Sequence, residues 1–115
     1  MRPEVLYLTD IVEAADAIAR FLDGVEQDRF LDDELRQSAV LQKLTVIGEA
    51  AARLPGEFRD RHPDVAWPQA MGLRNVAVHA YFSVDWATIW VTATQDVPAL
   101  RSQVAAILAN EYPSS

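Results

Sequence analysis

Apolar positions recur every three or four residues along almost the whole chain, and no stretch alternates apolar with polar as a half-buried strand would. The first repeat is Leu8, Ile11, Val12, Ala15, Ile18, Ala19 and Leu22. It predicts a helix with Pro3 in its first turn and Gly24 as its stop. A connector follows, anchored by Phe30 and Leu31. Asp32 or Asp33 is placed to cap a second helix, whose stripe is Leu35, Leu41, Leu44, Ile47, Ala51 and Leu54, and Pro55-Gly56 closes it. A short helical turn around Phe58 precedes His62-Pro63, and Pro68 suits the start of the next helix, where its missing N–H has no partner to lose. Ser83 marks a break. A last helical region runs from about Asp85 to Asn110, with Asp96 expected to cap a restart and Pro98 in its first turn. That region is predicted to kink or split there.

The pattern defines an all-α class, an up-and-down bundle of four to five helices. At 115 residues it is one domain, residues 1–111, followed by a frayed tail at 112–115. So small a bundle leaves an apolar strip that self-association can bury, and a two-fold homodimer is the commonest solution. Half of the residues are hydrophobic, which argues against disorder. The absence of cysteine removes disulfides and thiolate metal sites and fits a reducing cytoplasm. Glu4, Asp10 and Glu13 interrupt any apolar leader, and no stretch is long enough to span a bilayer. The expectation is a soluble, cytoplasmic chain.

A net charge of −7 denies the chain the global positive field that non-specific nucleic-acid binders use. Contact with RNA then needs a local cluster, for which Arg59, Arg61 and Arg74 are candidates, or a cluster gathered by dimerisation. The charge equally suits a basic protein partner.

Chemistry concentrates between Leu73 and Phe82, where Arg74, Asn75, His79 and Tyr81 interrupt an alanine- and valine-rich segment. Histidine moves protons near neutral pH, and the planar arginine fork matches a phosphate. The phenol donates a hydrogen bond or accepts a modification. Together they suit phosphodiester chemistry without a metal. On an ideal helix Asn75 and His79 lie about 40° apart and Arg74 and Tyr81 about 20° apart, but Arg74 and His79 about 140° apart. Either the helix bends or begins near Arg74, or a second copy completes the site. The competing reading is a packed helix whose polar atoms are satisfied by neighbours.

Three other features carry two readings each, and a fourth carries one. Glu49, in an apolar helical stretch, orients Arg74 or His79, or is simply an exposed helix charge. His62 is a solvent-exposed or capping residue rather than a metal ligand with His79, since no ligand set accompanies the pair. Trp67, Trp86 and Trp90 stack on bases or, as the spacing of the last two favours, pack in a core or interface. The acid-rich run from Asp23 to Glu34 is a solvated connector.

The spacing Arg74-x4-His79-x-Tyr81 resembles the motif of the HepT ribonuclease toxins, a branch of the all-helical HEPN superfamily. The resemblance extends through Asp10–Ala14, Ile47–Ala51, Arg61–Asp64 with Trp67, Tyr81-Phe82, Val84-Asp85 and Asp96–Leu100, covering roughly residues 4 to 108. It implies a HEPN-like bundle that dimerises with the motif lining a cleft. It also implies a metal-independent, cofactor-free endoribonuclease, the toxin of a type VII-like toxin–antitoxin system acting on RNA such as tRNA or mRNA. Arg74, His79 and Asn75 would be its catalytic residues. The partner implied is an MntA-type nucleotidyltransferase antitoxin that adds AMP to Tyr81. Val76 and Ala80 stand where relatives often carry a basic residue and a glycine. The rival readings are a non-catalytic binding subunit of a nucleotidyltransferase complex and a purely structural dimerisation module.

Overall fold

The computed structural model describes residues 3–82 and 85–113, with the side chains of 77–82 outside that description. The expected break at Ser83 and the last residues of the tail also fall outside it. Among the described residues the chain is all helix: α1 (Pro3–Leu22), α2 (Gln27–Phe30), α3 (Glu34–Arg53), α4 (Gly56–Arg61), α5 (Trp67–Phe82), α6 (Trp86–Val91) and α7 (Val97–Glu111). A π-helical turn, Thr92–Asp96, joins the last two.

Helix α1 stops where expected: Gly24 takes φ +71°, which side chains resist and glycine does not. Its buried face is Leu8, Ile11, Ala14, Ala15, Ala17, Ile18 and Leu22, so Ala14 and Ala17 face inward while Ala19 is exposed. Asp33 caps α3, accepting from the Arg36 N–H at 3.1 Å, and the Arg36 guanidinium Nη1 closes on the same carboxylate at 2.6 Å. The Arg36 Nε–H donates to the Phe21 carbonyl at 2.8 Å, tying the start of α3 to the end of α1. The two helices therefore run antiparallel.

Two expectations about the α2–α3 corner change. Leu35 is 80% exposed and Leu31 also faces solvent. Gln37 is buried instead, its amide donating to the Phe30 and Leu31 carbonyls at 3.0 and 3.1 Å, and Val40 begins the apolar stripe. The Leu31 carbonyl, and the second lone pair of the Phe30 carbonyl that already accepts from the Asp33 N–H, needed a donor more than the core needed another leucine. Only Phe30 is an anchor, fully buried with Trp86 and Trp90 against it at 6.2 and 5.4 Å between ring centroids.

The region after Asp85 is split by a different device from the one expected. Asp85 caps α6 through the Thr88 N–H at 3.1 Å, whereas Asp96 has helical dihedrals and makes no side-chain cap. The backbone runs on through the π-helical turn, where the Val97 N–H donates to the Thr92 carbonyl five residues back. Widening the helix by one residue per turn admits Pro98, the second residue of α7, without a cap.

Helix α5 packs on α3, α3 on α1, and α1 on α7. The buried set from Leu8 to Ile107 forms one continuous core through these helices, and Tyr112 is half-buried against it. Helices α5 and α7 face each other across an open groove of about 530 Å³ floored by Leu73, Val97 and Leu100. No described helix is long and apolar enough to cross a membrane.

Candidate functional site

The position of Arg74 is set by a glycine on the neighbouring helix. A Cβ added to Gly48 would fall 2.5 Å from the Arg74 backbone nitrogen and 3.0 Å from its Cβ. Only a residue without a side chain lets α5 approach α3 this closely. At that crossing the Arg74 Nη1 lies 3.5 Å from Glu49 Oε1, with the two side chains 43% and 48% exposed. The carboxylate thus holds one corner of the guanidinium and leaves the rest open to solvent. Glu49 is therefore both a neighbour of Arg74 and a half-exposed helix charge, and the geometry fits either of its two readings.

Asn75 is exposed on the next position of α5. His79 and Tyr81 lie on the same helix, and their side chains are outside the described residues. The backbone settles one alternative: α5 is helical from Trp67 to Phe82, so it neither begins near Arg74 nor breaks before position 79. Arg74 lies two turns inside the helix. The free N–H groups of the helix N-terminus therefore lie away from Arg74. Regular winding keeps positions 74 and 79 about 140° apart.

The start of α5 is anchored by aromatic packing that the sequence did not reveal as a unit. Trp67 is buried, and its indole N–H donates to the His62 carbonyl at 3.0 Å. Phe58 packs against both His62, in a tilted contact at 4.7 Å, and Trp67, edge-on at 6.2 Å. His62 follows α4 at its C-terminal cap position, but its side chain is only 17% exposed and Nε2 lies 2.8 Å from Glu111 Oε2. The solvent-exposed reading of His62 gives way to a mostly buried ring whose Nε2 sits close to the Glu111 carboxylate, bringing the α4–α5 corner against the end of α7. Trp67 is no base-stacking surface, and Trp86 and Trp90 pack as the spacing suggested.

Two of the three arginines expected to gather RNA are engaged elsewhere. Arg59 Nη1 donates to the Leu54 carbonyl at 2.8 Å, and more weakly to those of Ala51 and Ala52 at 3.4 Å, capping the C-terminus of α3. The Arg61 guanidinium lies 5.4 Å over the Phe58 ring. Val76 is half-buried and lines the α5–α7 groove, away from the Arg74–Glu49 face. Among the described residues no group of three or more His, Cys, Asp or Glu is placed to hold a metal.

An antiparallel all-helical bundle that carries Arg-x4-His on one continuous helix is a HEPN-like domain. The chain belongs to the Ribonuclease HepT-like family, which it matches over residues 11–107. It is 37% identical to a "Probable ribonuclease HepT" of Thermococcus cleftensis, across 84% of this chain and 88% of that one. It is 33% identical to the "Putative RNase MJ1380" of Methanocaldococcus jannaschii, across 85% and 90%. A third relative, the "Putative RNase TTE0752" of Caldanaerobacter subterraneus, is 34% identical across 91% and 94%. No solved structure matches the chain significantly.

Proposed function

We propose that the chain is a metal-independent endoribonuclease, the toxin half of a toxin–antitoxin pair. The observation that carries this is the placement of Arg74. It is an exposed cation fixed by Gly48 and steadied by Glu49, on the helix that also carries His79, in a chain of the HepT-like family. RNA supplies its own nucleophile, the 2′-OH beside the scissile phosphate. In the reaction proposed, a base takes that proton as the oxygen attacks phosphorus. The P–O5′ bond breaks, and an acid returns a proton to the leaving oxygen. The products are a 2′,3′-cyclic phosphate and a 5′-OH. Arg74 stabilises the charge on the phosphorane, and His79 acts as acid or base, with Asn75 orienting it or the phosphate.

Because α5 is unbroken, positions 74 and 79 lie about 140° apart around its axis, which supports a site shared between two copies. A two-fold homodimer with facing motif helices supplies the second half, and a second His79 takes the opposite proton-transfer role. Silencing in this reading comes from an MntA-type nucleotidyltransferase that adds AMP to Tyr81. A net charge of −7 favours a second reading, a non-catalytic subunit that docks the nucleotidyltransferase and keeps Tyr81 as its modification site.

Expression of the chain alone separates the two. The toxin arrests growth, and purified protein cuts single-stranded RNA in EDTA; Arg74→Ala and His79→Ala lose both effects while retaining the helical signal. A harmless wild-type chain that still accepts AMP supports the docking subunit instead.

A further inference from the structure

Helices α1 and α3 bound a second groove, of about 390 Å³, which opens beside the Arg74–Glu49 pair because Glu49 forms part of its wall. Its floor is apolar, made by Val46 and Ala50. Tyr7 stands on the α1 side, half-buried and packed against the core, so its ring is held in place. Asp10 and Gln42 line the opening, and neither side chain has a partner among the described residues. The Thr45 hydroxyl donates to the Leu41 carbonyl at 3.0 Å and keeps lone pairs to accept. Arg53 lies one helical turn beyond Glu49, exposed, with no carboxylate within 4.0 Å among the described residues.

These are the parts from which proteins build a site for an unpaired nucleotide. An immobile aromatic face stacks a base, a few uncommitted polar groups read its edge, and a cation meets the adjoining phosphate. We propose that the groove is a nucleotide subsite, holding the base next to the scissile phosphate with Arg53 on the following phosphate. The inference rests on the reading of Arg74 as the cation at the scissile phosphate. The acceptor on its edge, the Asp10 carboxylate, matches two adjacent donors, and guanine is the RNA base that presents them, at N1 and N2. The subsite therefore selects guanine. It also explains how an acidic chain takes hold of RNA. Specific contacts to a base replace the broad positive field that the composition lacks.

Fluorescence anisotropy with labelled 2′-O-methyl hexanucleotides tests this, because the blocked 2′ oxygen prevents cleavage and binding is read by itself. The wild type binds a hexanucleotide with one guanine among uridines about tenfold more tightly than the all-uridine one. Asp10→Asn erases that difference. Tyr7→Leu weakens both probes by about tenfold or more while its unfolding midpoint shows it folded at the assay temperature, and Tyr7→Phe, which keeps the stacking face, binds both as the wild type does. Arg53→Ala weakens both and lowers the salt dependence by about one phosphate contact. Equal binding of both probes by the wild type, no binding of either, or discrimination unchanged in Asp10→Asn and Gln42→Ala overturns the subsite. Cleavage of the matching 2′-OH hexanucleotides keeps the two inferences apart. Discrimination without cleavage removes the ribonuclease reading and leaves the subsite, and cleavage indifferent to guanine does the reverse.

Discussion

Gly48 and Arg74 are in contact through backbone: a methyl group on the first would sit 2.5 Å from the nitrogen of the second. A close approach of α3 and α5 therefore falls at the residue proposed to carry the phosphate. Alanine is the better helix former, by about 1 kcal/mol over glycine in a helix interior. A glycine in the middle of α3 is kept against that preference, and the close approach explains it.

Gly48→Ala should consequently destabilise the fold by about 1–3 kcal/mol, the usual range for overpacking, despite its gain in helix propensity. Gly72 provides the control. It lies within α5 with open space where its Cβ would be, so Gly72→Ala should stabilise by roughly 0.5–1 kcal/mol. Thermal or urea unfolding of the two variants reads the signs directly. A stabilised Gly48→Ala protein would mean that the helices can separate at no cost and that Arg74 is not fixed by this crossing.

The ion pair between Glu49 and Arg74 is nearly half exposed on both sides, so its contribution to stability is small, about 0–1 kcal/mol. Its consequence lies in the reaction. Removing the carboxylate frees the guanidinium for a ground-state phosphate but leaves it less well oriented. Glu49→Gln should therefore lower KM, and lower kcat by roughly tenfold, part of the hundredfold that a misplacement of about 1 Å costs. Unfolding midpoints should stay close to wild type. A variant with kcat unchanged would reduce Glu49 to a surface charge.

Much of this was legible in the chain. Periodicity located α1, α3, α5 and the last helical region, and turn residues placed Gly24 and Asp33 where the helices stop and start. What escaped was cooperative. Leu35 fits a helical stripe on its own, but the connector's carbonyls required a buried amide, and Gln37 supplies it. Asp96 before Val-Pro reads as a cap until the π-helical turn shows that a wider helix admits the proline equally well. Arg59 looks like any surface cation until the end of α3 arrives beneath it. The motif arginine was visible from spacing, whereas the glycine that positions it lies 26 residues earlier in the numbering, and only the crossing of two helices relates them.

If the site is shared between two copies, inactive chains should complement each other. Arg74→Ala supplies a wild-type His79, and His79→Ala supplies a wild-type Arg74. Mixing and re-equilibrating equal amounts gives heterodimers in which one wild-type Arg74 faces one wild-type His79 across the interface, so activity should reappear, at less than about a quarter of wild type because the second His79 is missing. Light scattering on the same samples should show a dimer at micromolar concentration. No recovery from a mixture that has exchanged subunits would place both residues in one copy's site.

The two capping aspartates should make stability fall at acid pH. Asp33 is held below its ordinary carboxyl value first by the backbone N–H of Arg36 and then by its side chain. Asp85 is held low first by the Thr88 hydroxyl and then by the Thr88 N–H. A depressed folded-state pKa adds stability that is fully present above the unfolded value of 3.8 and is lost as pH falls through the lower folded value. Melting midpoints should hold steady above about pH 5 and decline below it. Asp33→Asn and Asp85→Asn keep a cap without the charge and should flatten that decline. An acid profile identical in the double variant would assign the loss to other carboxylates.

Tyr81 gives the sharpest test of regulation. Two helical turns separate it from Arg74 on the unbroken α5, which brings the two positions within about 20° of each other around the helix axis. An AMP on the phenol adds a phosphodiester charge on Arg74's side of the helix, where it competes with an RNA phosphate for the same guanidinium. Incubation with the cognate nucleotidyltransferase, ATP and Mg²⁺ should therefore raise the intact mass by one or more AMP units and silence cleavage in proportion. Arg74→Ala should still be modified, because the cation is needed for RNA and not for the acceptor hydroxyl. Tyr81→Phe separates two roles of that hydroxyl. As acceptor alone, its loss leaves a nuclease that cuts and cannot be silenced; as a second contact to the scissile phosphate, its loss also slows cutting. An equal mass increase in wild type and Tyr81→Phe would move the modification to another residue and leave the competition for Arg74 without a basis.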